Sequence, residues 1–175
     1  MVYRVFLVTV MLLSFSFAAF DKENIKSFEA DFLQIVTNES GKKIEYKGQV
    51  FIKNNGKVLW KYFEPVKKNV YLINDLVIVD EPELEQAIYT KLEKSIDIIK
   101  LLKDAKQIET NLYESFLYDV KYLIKIEENN ISSLSYKDEL ANSIEIKFLN
   151  IKQNIDIDEK TFQFLAPDYY DIIEK

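Results

Sequence analysis

A mostly β domain, an antiparallel sheet of many strands with a helical block covering one face, is what this sequence predicts, on three observations. Tyr46 to Pro65 reads as a hairpin: Tyr46, Gly48, Val50 and Ile52 alternate with Lys47, Gln49, Phe51 and Lys53 before Asn54-Asn55-Gly56 reverses the chain. The later segments Val120 to Glu127, Ile131 to Tyr136 and Ser143 to Ile151 alternate in the same way and read as a meander. Between these regions the spacing changes, and Leu92, Ile96, Ile99 and Leu102 fall at helical intervals. With 175 residues the chain has room for one ordinary domain.

Residues 21–27 read as a short polar helix or lead-in. Phe28, Ala30, Phe32, Gln34 and Val36 then share one strand face, where a buried Gln34 would need a hydrogen-bond partner. The residues from Thr37 to Lys43 form a turn into the hairpin, whose return strand sets Val58, Trp60 and Tyr62 opposite Leu59, Lys61 and Phe63. Lys67 to Tyr71 begins another strand, and Asn74-Asp75 turns it into the apolar run Leu76 to Val79. The acidic run Asp80-Glu81-Pro82-Glu83-Leu84-Glu85 interrupts the extended pattern, as a solvated loop or as a surface that steers a basic partner. A second helical piece is expected at Leu112 to Leu117, and Thr161 to Leu165 is expected to be the last strand, ending at Pro167.

The N-terminus has the features of an export signal. Arg4 precedes an apolar run from Val5 to Leu13, and Ser16-Phe17-Ala18 supplies small residues at a cleavage junction. Residues 1–18 are therefore expected to be a signal peptide and 19–175 a single domain in the periplasm. Without Arg4, 22 lysines face 29 acidic residues, a net charge of −7 that disfavours nucleic acid and anionic membrane as main partners. No His, Cys or further Arg is present, which excludes histidine-based nucleophilic catalysis, the usual zinc sites, disulfides and bidentate arginine clamps. No motif calls for a metal or cofactor, and no enzyme is expected. The carboxylate pairs Asp138/Glu139 and Asp156/Asp158 have nothing to place them across a cleft.

Several segments in register resemble the LolA family of periplasmic outer-membrane lipoprotein carriers. Phe28-x-Ala30-x-Phe32-x-Gln34-x-Val36 is similar to the family's first strand, and Gly48-Gln-Val-Phe-Ile-Lys53, Trp60, Pro65 and Pro82-x-Leu84-x-Gln86-Ala87 follow in the family's order. Phe162-x-Phe164-x-x-Pro167 closes the chain as the family does. The resemblance implies an incomplete antiparallel β-barrel of about eleven strands, lidded by helices over a hydrophobic cavity. It also implies a monomer that accepts acylated lipoproteins from an inner-membrane ABC transporter and delivers them to an outer-membrane acceptor, LolB or an equivalent. The family arginine that holds the lid from the first hairpin is Asn54 here, and an aromatic near it is Val58.

A carrier must shield acyl chains without holding them irreversibly, since each buried methylene is worth roughly 0.8 kcal/mol. Apolar walls without polar anchors suit that task. Phe28, Ala30, Phe32, Val50, Ile52, Val58, Trp60 and Tyr62 are the expected sheet wall, and Ile96, Ile99 and Leu102 the underside of the lid. Gln34 and Asn54 are the expected contacts between hairpin and lid, although Gln34 reads equally well as a cap on the sheet edge. The pattern reports only that these faces are buried, so a filled core, a periplasmic interaction module and a carrier of another lipid or glycolipid stay open.

Overall fold

The computed structural model describes residues 20–92 and 98–175; the expected signal peptide and Ile96 lie outside the described residues. A 3-10 turn at Lys22–Asn24 leads into β1 (Ser27–Thr37), β2 (Lys43–Lys53), β3 (Lys57–Glu64), β4 (Lys68–Ile73), β5 (Leu76–Glu81) and β6 (Gln86–Lys91). The helix α1 (Ile98–Asp104) follows, then β7 (Lys106–Glu109), β8 (Leu112–Leu117), β9 (Val120–Glu127), β10 (Asn130–Lys137) and β11 (Ser143–Gln153). A 3-10 turn at Glu159–Phe162 precedes β12 (Asp171–Glu174).

All twelve strands form one sheet in the order β12-β6-β5-β4-β3-β2-β1-β11-β10-β9-β8-β7. The barrel is incomplete, because no pairing among the described residues joins β7 to β12. There are twelve strands where about eleven were expected. The pairings are antiparallel apart from that of β12, which lies parallel to β6. The first strand in sequence sits inside the sheet, between β2 (Phe28 opposite Ile52) and β11 (Phe32 opposite Phe148).

Two expected elements differ. Leu112 to Leu117 is a strand, not a helix. Tyr113 and Ser115 face Ile124 and Tyr122 of β9, while Leu112, Glu114 and Phe116 point the other way. Four apolar residues in a six-residue segment satisfy either period, and tertiary pairing decides. Thr161 to Leu165 is not a strand. Asp158 caps a 3-10 turn by accepting from the Lys160 N–H at 2.9 Å, and Phe162 and Phe164 pack on the sheet without pairing to it. The last strand comes later, at β12.

The hairpin contributes buried residues to both faces of the sheet. Val50, Ile52 and Val58 enter the main core on the concave side, whereas Leu59 joins Tyr71, Ile78, Ile157 and Phe162 on the convex side. The segment from Ile155 to Phe164 thus seals the outside of β3–β5. It is pinned by Glu159, whose carboxylate accepts from Lys53 and Lys57, both at 2.6 Å. The two ammonium groups hold that carboxyl down to about 2, against an ordinary 4.5. A depressed folded-state value stabilises above the unfolded value and is lost as pH falls from about 4.5 toward 2. Glu159→Gln should therefore lower Tm at neutral pH, with the gap to wild type closing across that acid window in pH-dependent melting. A gap that persists at pH 2 would contradict it.

One member of each carboxylate pair, Asp138 and Asp158, serves structure. Asp138 accepts from the backbone N–H groups of Leu140 and Asn142 and from the Asn142 amide, which closes a turn and holds its carboxyl below the usual range. Asp158 is the cap just described. Asp80 departs from the solvated run: it is buried on β5 and accepts from the Asn69 amide at 2.8 Å.

Candidate functional site

The concave face of the sheet is floored by strand residues that alternate inward. Phe28, Ala30 and Phe32 come from β1, Val50 and Ile52 from β2, and Val58 from β3; Ile124, Ile126, Ile131, Ile144, Ile146 and Phe148 come from β9–β11. α1 lies on this floor. Ile99, Leu101 and Leu102 are buried against it, with Ala105 just beyond the helix. A helix of seven residues is too short to persist alone in water. Docking creates it: three buried aliphatic side chains contribute about 2 kcal/mol each.

Between α1 and the floor remains a wholly apolar space of about 40 Å³, lined by Phe28, Ile52, Trp60, Ile98, Leu101, Leu102, Tyr122, Ile131, Leu134 and Phe148. Small-molecule pockets begin at roughly 300 Å³, so this space is closed to an acyl chain while α1 is seated. Of the expected wall, Phe28, Ile52, Trp60 and Leu102 line the space itself. Ala30, Phe32, Val50, Val58 and Ile99 are packed in the surrounding core. Tyr62 packs at its margin, and Ile96 is outside the described residues.

The expected hairpin–lid contacts are corrected. Gln34 is half-buried and its Oε1 accepts from the Tyr62 hydroxyl at 3.0 Å, a strand-to-strand bond rather than a tie to α1. Asn54 has an exposed side chain, and its backbone N–H donates to the Lys26 carbonyl at 2.9 Å. The restraint on α1 comes instead from Lys22, whose Nζ donates to the carbonyls of Lys103 and Ala105, both at 2.6 Å. A cation there satisfies orphan carbonyls and complements the negative end of the helix. Sequence reasoning missed Lys22 because nothing local distinguishes it from other surface lysines. Tyr122, Ile131, Leu134 and Phe148 were also missed as lining; Ile131 and Leu134, three positions apart, share the site only because the β9–β10 register shifts between Ile131 and Ser133.

The margin of the site is polar. Tyr62 stands edge-on to Phe32 (ring centroids 5.1 Å) and to Tyr46 (5.9 Å), and Lys68 Nζ lies 4.7 Å from the Tyr62 ring centre. Tyr122 and Tyr136 stack across the same end at 4.9 Å. Burial raises the hydroxyls of Tyr62, Tyr122 and Tyr136 above the usual phenol value, so all three stay neutral at physiological pH. The expected wall without polar anchors holds under α1 but not at this end.

The family profile described as outer membrane lipoprotein carrier protein LolA matches residues 23–165. An outer-membrane lipoprotein carrier protein of Wolinella succinogenes is 34% identical over 98% of this chain and 99% of its own. One of Helicobacter hepaticus is 33% identical over 87% of this chain and 86% of its own. Among solved structures, an uncharacterized conserved protein from Thermus thermophilus shares the fold, with a TM-score of 0.55 at 8% identity, covering 89% of this chain and 94% of that one. With a profile match over most of its length and full-length relatives at a third identity, the chain belongs to the LolA family.

Proposed function

We propose that the chain is a non-enzymatic periplasmic carrier of lipoproteins, exported by residues 1–18 and working as one monomeric domain over 19–175. It takes acylated cargo from an inner-membrane ABC transporter and passes it to an outer-membrane acceptor, LolB or an equivalent. The family membership and the relatives' names support this reading. The observation that carries it is a short helix seated over a wholly apolar space on the concave face and held at its C-terminal end by Lys22.

In this reading α1 is a plug. Its buried aliphatic residues cover the same surface that acyl chains would cover, so cargo displaces the helix by exchanging one apolar contact for another. The net gain is then far smaller than the gross burial of two or three chains, which leaves the cargo recoverable by the acceptor. Phe28, Ile52 and Trp60, with Ala30, Phe32, Val50 and Val58 behind them, form the surface that α1 vacates, and Ile99 and Leu102 are the α1 side chains that leave it. Ile96, just before α1, and Tyr62, at the margin, complete the proposed set.

The test is release of a labelled lipoprotein from spheroplasts, with and without the purified mature chain. Soluble lipoprotein in a one-to-one complex with this chain is the expected result. No release, together with no lipid in the purified protein, would favour a filled-core interaction module and end the carrier reading. A co-purified glycolipid in place of lipoprotein would redirect the cargo.

A further inference from the structure

At one end the apolar floor gives way to a cluster of polar side chains contributed by six strands. Tyr46 comes from β2, Tyr62 from β3, Lys68 from β4, Tyr122 from β9 and Tyr136 from β10, with Gln34 of β1 between them. The curl of the sheet brings β3 near β10, so that the Tyr62 hydroxyl senses Tyr136 as well as Tyr46. All six side chains are half-buried. Tyr122 also lines the space under α1, so the cluster adjoins that space.

The chemistry of the cluster is one-sided. The Tyr62 O–H is engaged by Gln34 Oε1, which leaves the Gln34 amide N–H groups to donate elsewhere. No hydrogen bond among the described residues engages the hydroxyls of Tyr46, Tyr122 or Tyr136. The nearby carboxylate of Asp138 is taken up by its own turn. Lys68 is the single cation among these six residues, and its ammonium rests against the faces of Tyr62 and Tyr46. Neutral donors around one cation match neutral acceptor oxygens. A phosphate would call for several cations or an arginine fork, and the cluster has neither.

Resting on the carrier reading above, we propose that this cluster is a polar collar for the ester carbonyl oxygens at the root of a diacylglyceryl-cysteine, with the acyl tails running under α1. The ligand is amphipathic in the same sense as the site. Tyrosines commonly occupy such boundaries, ring toward the apolar phase and hydroxyl toward the wet one. The collar sets the depth at which the tails stop and leaves the cysteine and its peptide outside.

The test compares two probes on the full mature chain: a synthetic diacylglyceryl-cysteine lipopeptide, and its dialkyl ether, which has the same tails without the carbonyls. Binding is read from Trp60, the only tryptophan in the chain, which lines the space. Wild type should bind the ester about tenfold tighter than the ether, the effect of two neutral hydrogen bonds. Combining Tyr46→Phe, Tyr122→Phe and Tyr136→Phe, which keeps every ring, should bring the ratio near one. Equal affinity of wild type for both probes, or a ratio kept by the triple variant, would overturn the collar. Binding of neither probe would instead remove the carrier reading beneath it. Short-chain phosphatidylglycerol competing as well as the lipopeptide would overturn the assignment to an acylated cysteine.

Discussion

Gly48→Ala should cost about 3 kcal/mol of stability or more, enough to unfold a marginal domain. A Cβ at this position would lie 1.9 Å from the Lys61 carbonyl oxygen and 2.6–2.7 Å from the Phe32 ring. Neither neighbour can yield cheaply. The Lys61 carbonyl belongs to β3 beside a β2–β3 register shift at Lys47/Gly48. The Phe32 ring is wedged between Trp60 and Tyr62, with centroids 5.0 and 5.1 Å away. Phe32 sits directly opposite Gly48 in the β1–β2 ladder, and the absent side chain is what lets its ring lie over the sheet. Urea unfolding followed by circular dichroism would measure the loss. An unchanged midpoint would mean that the aromatic trio repacks freely.

Lys22→Met is expected to leave the fold intact and to speed cargo uptake about tenfold. The substitution keeps the aliphatic stem and removes a charge that donates to two carbonyls at the end of α1. Charged hydrogen bonds of this kind contribute on the order of 1.5 kcal/mol or more, and a tenfold rise in the undocked fraction follows from about 1.4 kcal/mol. Stopped-flow Trp60 fluorescence with an acylated peptide would follow the association rate directly. Equal rates in wild type and variant would place the barrier elsewhere than in α1. In the LolA resemblance this restraint was expected from the hairpin, where Asn54 is too short and too exposed to supply it. The same restraint arises here from the other side, out of the 3-10 turn that precedes β1.

How far the sequence could be read depended on whether a residue's partner was local. Strands such as Phe28 to Val36 and Val120 to Glu127 were legible because alternation over eight or nine residues excludes a helix. Leu112 to Leu117 was not, since Tyr, Phe and two Leu in six residues fit either period until β9 is present to pair with them. Phe162 and Phe164 alternate like a strand but are held by the convex face of another part of the sheet, and no local pattern reports that. The floor contributed by β1–β3 was legible through the family resemblance and its hairpin. The part contributed by Tyr122, Ile131, Leu134 and Phe148 was not, because the facing of β9–β11 depends on how the sheet curls. Lys22 and the tyrosine cluster escaped for a related reason. Each takes its meaning from residues distant in sequence, as when Lys22 meets Lys103.

The position of β1 bears on how the chain can fold. It is the first strand to leave any exit, yet its pairing runs on one side with β2 and on the other with Ser143–Gln153 of β11. The β2–β6 half and the β7–β11 half are each largely sequential, and β1 is the seam that joins them. Closing that seam brings together residues more than a hundred positions apart, such as Phe32 and Phe148, which is entropically costly and slow. A chain threaded N-terminus first across a membrane therefore cannot complete its sheet until nearly all of it has passed through. Until then β1, whose Phe28, Ala30 and Phe32 belong to the buried core, has one edge unpaired. The topology that builds a continuous concave floor is thus also one that keeps the polypeptide unfinished, and threadable, to the last moment.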